Sequence, residues 1–491
     1  MNYPILSRLL GIITAAIGAA FVISMGVAMH YRAGDPQEVV ALRGFGFSAL
    51  IAVALSVTFH YLGRKANKRL FGKEALATIG LGWIIASIVG ALPYIFIAKN
   101  IGIADAVFES ASGFTTTGAS IFSNVELLPK SLLFWRSLSQ WIGGLGVVVF
   151  FVAILSFLGA GAKILFSRES SAQAADLGSE RVQKGVSRIM RLYVALSIIC
   201  TLAYWAAGMS LYDAFNHMCT TLSTGGFSTH NASMAYFNSA LIEWLCILFM
   251  ALGGTSFVLM LRLIQGERKA LAQNTELKAY YLILAAATLT CMVFNFGHAQ
   301  MPDAHGLLRH SAFQVVSIMT TTGYATKDFD LWVPALHALL LLLMVVGGCS
   351  GSTGGGVKVV RFVTSLRYTR QLLERSYRSN VVRSIRVNGT PLSQQACEDS
   401  NGFLIMMGLV AGAGTMLVAL FEPHMSLEGS LSASFACLFN IGPGFAEVGP
   451  MHNFASLHFV TKYVLSLLMI MGRVELFAVL ALFSPELWKK Y

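Results

Sequence analysis

The stretch Phe108-Glu-Ser-Ala-Ser-Gly-Phe-Thr-Thr-Thr-Gly118 recurs as Phe215-Asn-His-Met-Cys-Thr-Thr-Leu-Ser-Thr-Gly225 and as Phe313-Gln-Val-Val-Ser-Ile-Met-Thr-Thr-Thr-Gly323. In all three a phenylalanine precedes the glycine by ten residues. A fourth copy, Ser432 through Phe439-Asn440-Ile441-Gly442-Pro443-Gly444, keeps the shape and loses the threonines. A ten-residue helix rises only about 15 Å, roughly half the apolar thickness of a bilayer. Each copy therefore reads as a half-helix that dips into a membrane, followed by an extended return through the glycine. Non-helical backbone at that depth is tolerated only where it is buried in protein or lines a water-filled path.

The flanks supply the membrane. Apolar stretches long enough to cross lie near 9–31, 40–63, 75–98, 131–158, 187–208, 238–264, 278–297, 333–374, 402–421 and 457–484. The span after each half-helix carries a second mark: Gly143-Gly144, Gly253-Gly254, Gly347-Gly348 and Gly472-Arg473, which lie 25, 28, 24 and 30 residues beyond the four repeat glycines. The unit is thus span, half-helix, return, span, repeated four times. The expected fold is an all-α integral membrane protein with four pseudo-symmetric repeats around one pore and two extra N-terminal helices. The expected divisions are 1–73 for the extra helices and 74–180, 181–272, 273–395 and 396–491 for the repeats.

Composition agrees. Of 491 residues 55% are hydrophobic and only 12% charged, about half the charged share of a soluble domain. A soluble enzyme and a disordered chain are excluded. The net charge of +11 is a topology signal and not a nucleic-acid footprint. If the spans alternate, 26 of the 35 Lys and Arg fall on one side, in the N-terminus, 64–73, 163–191, 262–278, 358–386 and the C-terminus. That side is cytoplasmic, and both termini lie there. The other face carries Asp105, Glu126, Asp213, Asp303, Asp328, Asp330, Glu422, Glu428 and Glu447, which would concentrate cations near an opening. The seven scattered cysteines form no CxxC pair and read as free thiols.

Four half-helices entering from outside aim their partly negative C-terminal ends at a common centre, which favours cations. Carbonyls of the returns can replace the hydration shell of a monovalent cation, and threonine hydroxyls add oxygen ligands. The repeats, with Thr-Thr-Gly endings and Asn-Ile-Gly-Pro-Gly in the fourth, resemble the Trk/Ktr/HKT superfamily of potassium transport proteins over essentially the whole chain. The length and the two extra helices make the chain most similar to the bacterial TrkH/TrkG type of membrane subunit. The resemblance implies a K+ selectivity filter at Thr116, Thr117, Gly118, Ser223, Thr224, Gly225, Thr321, Thr322, Gly323, Asn440, Ile441 and Gly442. Glycine in all four positions resembles the potassium-selective members, unlike sodium-transporting plant members with serine in the first repeat.

Gly347-Gly348-Cys349-Ser350-Gly351-Ser352-Thr353-Gly354-Gly355-Gly356 holds six glycines in ten residues. At about 1 kcal/mol per glycine relative to alanine, no helix survives there. The span must break near mid-membrane, and the resemblance makes this the family's intramembrane gating loop. Arg473 is an intramembrane arginine, a functional candidate by its cost alone. By alignment it replaces a glycine that faces the pore, and the resemblance gives it the part of an electrostatic barrier that also holds the broken loop through carbonyl hydrogen bonds. Glu475, two residues on, points to another helix face.

The histidines have no metal-ligand spacing and read as loop or interface residues. No Walker-type nucleotide site occurs, so no cofactor is expected in this chain beyond the transported K+. The resemblance implies a homodimer seated on a cytosolic TrkA-like ring of RCK type, which binds NAD(H) and adenine nucleotides. The arginine-rich segment 358–386 also suits anionic lipid. A proton- or sodium-coupled K+ symporter working by alternating access is the second reading. Its buried titratable acid would be Glu109 or Glu475. An intramembrane enzyme lacks converging catalytic residues in the spans.

Overall fold

The computed structural model describes residues 1–66, 72–157, 179–297, 303–378 and 384–489. The basic residues Lys68, Arg69, Lys163, Arg168, Arg383 and Lys490 lie outside them. The chain is a multi-pass helical membrane protein. Helices α1 (Tyr3–Tyr31), α2 (Gln37–Leu62), α3 (Gly72–Gly90) and α4 (Leu92–Ile97) lead into half-helix α5 (Ile103–Phe114) and the long α6 (Lys130–Phe157). Next come α7 (Ser179–Ala206), half-helix α8 (Leu211–Leu222), α9 (Ala240–Gly253), α10 (Phe257–Ile264) and α11 (Arg268–Gln273). The third group is α12 (Thr275–Phe294), half-helix α13 (Ala304–Met319), α14 (Pro334–Val345) and α15 (Val359–Tyr377). The last is α16 (Gln394–Phe421), half-helix α17 (Leu427–Leu438), α18 (Phe459–Arg473), α19 (Phe477–Leu480) and α20 (Pro485–Trp488). Among the described residues the only sheet is a hairpin of Arg386–Val387 with Thr390–Pro391.

Among the described residues six helical stretches are long and apolar enough to cross a membrane, and two bent pairs would raise the number to eight. Their outward faces are apolar, as lipid requires, with Ile51, Val57, Leu202, Leu289, Leu409 and Leu420 exposed. The half-helices start at deliberate stops. Ser210, Asp303 and Ser426 accept from the backbone N–H three residues on, and Asp105 reaches back to the Gly102 N–H at 3.0 Å. Such caps satisfy backbone donors that the first turn of a helix leaves unpaired. Most residues of each half-helix are buried despite their Ser and Thr content. They are central, and the long spans enclose them.

The extra helices α1 and α2 dock on the first repeat. Phe21 of α1 and Phe45 of α2 are buried with Trp135 of α6, and the Phe21 and Trp135 rings lie 4.7 Å apart. Glu38 of α2 caps α6 from outside by accepting from Ser131 N at 3.1 Å and from Ser131 Oγ. All seven cysteines are free and buried.

Two expectations change. The spans near 238–264 and 457–484 are not continuous. The former bends by 99° between α9 and α10, the latter by 116° between α18 and α19. At the first bend the helical bond Phe257 N–H to Gly253 C=O is replaced. Phe257 N donates to Gly351 O at 3.1 Å, and Gly253 O accepts from Thr353 N at 3.2 Å. The third repeat's loop thus inserts its own backbone into the second repeat's helix. At the second bend Glu475 and Leu476 both adopt positive φ, +57° and +59°, an uncommon conformation for such residues. The histidine expectation also fails in part, since His217 and His310 are buried within half-helices.

Candidate functional site

The four half-helices end in the same backbone trace. Thr116, Thr224, Thr321 and Asn440 have φ of +54°, +55°, +60° and +58°, and two residues later Gly118, Gly226, Gly323 and Gly442 have φ of +86°, +78°, +78° and +102°. Only glycine takes that last conformation without cost. The trace corrects the register of the second repeat. Gly226, not Gly225, is the counterpart of Gly118, Gly323 and Gly442. Gly225 takes the place of Thr117, Thr322 and Ile441. Sequence alignment slipped by one because the Phe-to-Gly spacing fits the first glycine of the Gly225-Gly226 pair.

With that register the four returns close a ring. A Cβ on Gly118 would meet Gly225 O, one on Gly226 would meet Thr322 O, one on Gly323 would meet Ile441 O, and one on Gly442 would meet Thr117 O. Each glycine therefore packs its Cα face against the carbonyl that precedes the glycine of a neighbouring repeat. The contacts run from repeat one to two, two to three, three to four, and back to one. Four chemically similar backbone segments converge on one axis, as the sequence anticipated.

Side chains around the ring differ by repeat. Thr115 Oγ1 pairs with Thr117 Oγ1 at 2.7 Å and Thr320 Oγ1 with Thr322 Oγ1 at 2.8 Å. Thr116 Oγ1 and Asn440 Oδ1 sit at equivalent positions, are buried, and find no partner among the described residues. Asn440 Nδ2 donates to Thr117 Oγ1 at 3.0 Å and to Met469 O at 2.9 Å, tying the fourth return to the first. The Gly225 carbonyl accepts from Gln140 Nε2 at 2.6 Å, and Gln140 Oε1 accepts from Phe227 N at 3.1 Å.

The glycines of the inner helices have a separate reason. A Cβ on Gly143 would meet Phe114 O, one on Gly472 would meet Leu438 O, and one on Gly253 would lie 3.3 Å from Leu222 O. These are the carbonyl ends of the half-helices. Glycine lets each inner helix approach the end of its own half-helix. Gly347 departs from this, since its Cβ would meet Gly355 of the loop.

The glycine-rich loop is tied directly to the ring and to its surroundings. Gly355 N donates to Thr321 Oγ1 at 2.7 Å, and Thr353 Oγ1 donates to Leu222 O at 2.8 Å. Cys349 N donates to Gly254 O at 2.8 Å, and Gly347 N to Val357 O at 2.9 Å. Ser350 N and Oγ donate to Glu276 Oε1 at 2.7 and 3.0 Å, and Val360 N donates to it at 3.3 Å. Ser352 Oγ is buried without a partner among the described residues. Gly351 and Gly356 let the loop turn, at φ of +73° and +65°.

Arg473 is buried and donates from Nη1 to Thr353 O at 2.7 Å and from Nη2 to Gly143 O at 3.4 Å. The first of these bonds ties it to the glycine-rich loop. Glu475 turns the other way and pairs with Arg361 at 2.7 Å. Arg361 in turn lies 3.6 Å over the Phe403 ring. The second reading's other acid, Glu109, pairs with Arg136 at 2.8 Å, both buried.

Sequence reasoning missed Gly226, Gln140, Arg136 and Glu276. The rule that flagged Arg473, an arginine inside an apolar span, applies equally to Arg136. Glu276 is one of only two acids in the basic stretch 262–278. Nothing in the sequence links it to a loop 74 residues away.

Comparison with known proteins agrees with this geometry. Residues 47–490 match the family TrkH, described as cation transport protein. The chain is 33% identical to the Trk system potassium uptake protein TrkH of Salmonella typhimurium over 493 residues, with both chains fully covered. It is 32% identical to the Trk system potassium uptake protein TrkG of Escherichia coli over 434 residues, 87% of this chain and 88% of that one. The crystal structure of the potassium transporter TrkH from Vibrio parahaemolyticus superposes with a TM-score of 0.89 at 31% identity, with full coverage of both chains. The family is one of transport proteins and not of enzymes. With four glycine returns closing one ring inside a helical membrane fold, and with this match along nearly its whole length, the chain belongs to the TrkH family of cation transport proteins.

Proposed function

We propose that this chain takes up K+ across the bacterial cytoplasmic membrane through a selective, channel-like pore. The observation that carries the reading is the closed ring of Gly118, Gly226, Gly323 and Gly442 against the carbonyls of Gly225, Thr322, Ile441 and Thr117. A ring of backbone oxygens is the chemistry that replaces the hydration of a monovalent cation. The ion is inferred from the relatives, which are named potassium uptake proteins. In this reading the filter comprises Thr116–Gly118, Ser223–Gly226, Thr321–Gly323 and Asn440–Gly442, and the four repeats divide at 74–180, 181–272, 273–395 and 396–491.

Residues 347–356 are the gate. The loop's bonds to Thr321 and Leu222 put it against the inner end of the returns, and Arg473 adds a positive charge beside it. Both termini and the arginine-rich α15 face the cytoplasm, where Arg367, Arg370 and Arg378 are exposed. They suit anionic lipid and a cytosolic, nucleotide-binding TrkA-like ring, with two copies of this chain forming a homodimer. Coupled symport is disfavoured because both candidate acids, Glu109 and Glu475, are held by arginines.

The test is flux into liposomes holding the purified protein, with Rb+ or K+ against Na+ and no pH gradient. Uptake of Rb+ well above Na+ supports the pore. Uptake that appears only with a proton or sodium gradient overturns it in favour of symport.

A further inference from the structure

The position nine residues before each ring glycine holds Glu109, His217, Gln314 and Ala433. In three repeats this side chain reaches forward to the returning strand just past the glycine. Glu109 Oε2 accepts from Ile121 N at 2.9 Å, and the carboxylate also accepts from Ser120 Oγ at 3.1 Å. His217 Nε2 is 3.0 Å from Ser228 Oγ. Gln314, with its amide oxygen turned to the strand, accepts from Thr326 N at 2.9 Å. In the fourth repeat Ala433 has no polar group, and its neighbour Ser432 accepts from Phe445 N at 2.9 Å instead. Ile121, Thr326 and Phe445 are equivalent, each three residues past the glycine. Every return therefore has a strut from its own half-helix.

The first strut differs from the others in two ways. It is a carboxylate, and it is matched by Arg136 of α6, whose Nε donates to Glu109 Oε1 at 2.8 Å. Both side chains are almost fully buried, at 0% and 2% exposure. Arg136 also crosses to the neighbouring repeat. Its Nη2 donates to Ser120 Oγ at 3.1 Å in the first return, and its Nη1 donates to Ser228 O at 3.2 Å in the second. Its guanidinium lies 4.1 Å over the ring of Phe227, the residue after Gly226. Counting seven residues before the inner-helix glycines, the other repeats hold Cys246, Leu340 and Leu465. The rigid fork of arginine is thus used at one of four boundaries, where it spans two returns at once.

We propose that Glu109 and Arg136 are positioning residues that determine ion specificity, by fixing the separation of the first and second returns at the ring. The inference rests on reading the returns as the ion-selective constriction. Coordination by oxygens discriminates ions only if the oxygens are held where they are, and the charged clamp holds two of the four walls behind the Gly118–Gly225 contact. Neither side chain touches the ion in this scheme.

The experiment is the Rb+ to Na+ flux ratio in liposomes for wild type, Glu109→Gln, Arg136→Lys and Ser120→Ala, each checked for monodispersity and melting temperature. Wild type without selectivity refutes the constriction reading itself. Given a selective wild type, Glu109→Gln should lower the ratio by about tenfold or more, since removal of one partner leaves a buried charge uncompensated. If that variant does not fold, the other two decide. Lysine keeps the charge but loses the fork to Ser228, and Ser120→Ala removes the hydroxyl that bonds Glu109, Arg136 and Phe122 N with no change in charge. Both should lower the ratio, lysine more. Well-folded variants that lose melting temperature and keep the wild-type ratio would show a purely structural pair and overturn the proposal.

Discussion

Replacing Gly226 by alanine should disable the ring, whereas the same change at Gly225 should be tolerated far better. Gly226 has φ of +78°, and an added Cβ would run into the Thr322 carbonyl of the next repeat. A left-handed alanine costs about 1–2 kcal/mol. Forcing a methyl into closed packing adds about 1–3 kcal/mol, and backbone cannot step aside as a side-chain tip does. The sum is about 2–5 kcal/mol, and about 2 kcal/mol already corresponds to roughly 30-fold. Gly225 has no positive φ, and a Cβ there meets only the end of the Gln140 side chain. Its cost is the loss of Gln140's two hydrogen bonds, about 1 kcal/mol each. K+-dependent growth of an uptake-deficient bacterium and Rb+ flux in liposomes read the difference. Gly226→Ala should lower Rb+ flux at least roughly 30-fold, with Gly225→Ala clearly milder. The reverse order, with Gly226→Ala near wild type, would refute the structural register and restore the one read from phenylalanine spacing.

On the proposed pore, Arg473→Ala should raise flux, since it removes a positive charge beside the glycine-rich loop and the bond to Thr353 O; unchanged flux in a well-folded sample would sink that role. Glu276→Gln weakens three donors' hold on a charged acceptor, at about 1.5–3 kcal/mol for such a bond. The loop should then open more readily, seen as higher flux without any cytosolic partner, and lower flux would mean that Glu276 props the path open. In the 3-10 turn Phe329–Leu331, outside the spans, burial raises the Asp330 carboxyl from its ordinary 3.8 to about 6. Its folded form therefore holds a proton that the unfolded form has lost, so its contribution to stability is present below about 4 and disappears as pH rises through 6. Asp330→Asn should flatten the pH dependence of the melting temperature in that window, and an unaltered slope would place the titration elsewhere.

Much of the architecture is legible because membrane physics leaves few choices. A ten-residue amphipathic segment cannot span, and six glycines in ten residues cannot stay helical. An intramembrane arginine is expected to have a purpose. Those three rules find the half-helices, the broken inner span of the third repeat and Arg473. They fail where a local pattern has two solutions. Gly225-Gly226 offers two glycines to an alignment by spacing, and only the dihedral angles choose between them. They also fail where the decisive partner is remote. The bend at Gly253-Gly254 exists because a loop about a hundred residues on takes over its hydrogen bonds. Gly143-Gly144 looks the same in sequence and sits within the unbroken α6, where no such loop intrudes among the described residues.

The sequence by itself determined the class of protein, the four-fold unit and the residue types brought to the axis. These depend on hydropathy, element length and composition, which act along the chain. The tertiary structure alone decided which glycine closes the ring, which carbonyl each glycine meets, and how Glu109, Arg136, Gln140, Glu276 and Arg473 secure the returns and the loop. Those choices depend on groups 27 to 330 residues apart meeting within hydrogen-bond distance, a property of packing around a shared axis that no local pattern encodes.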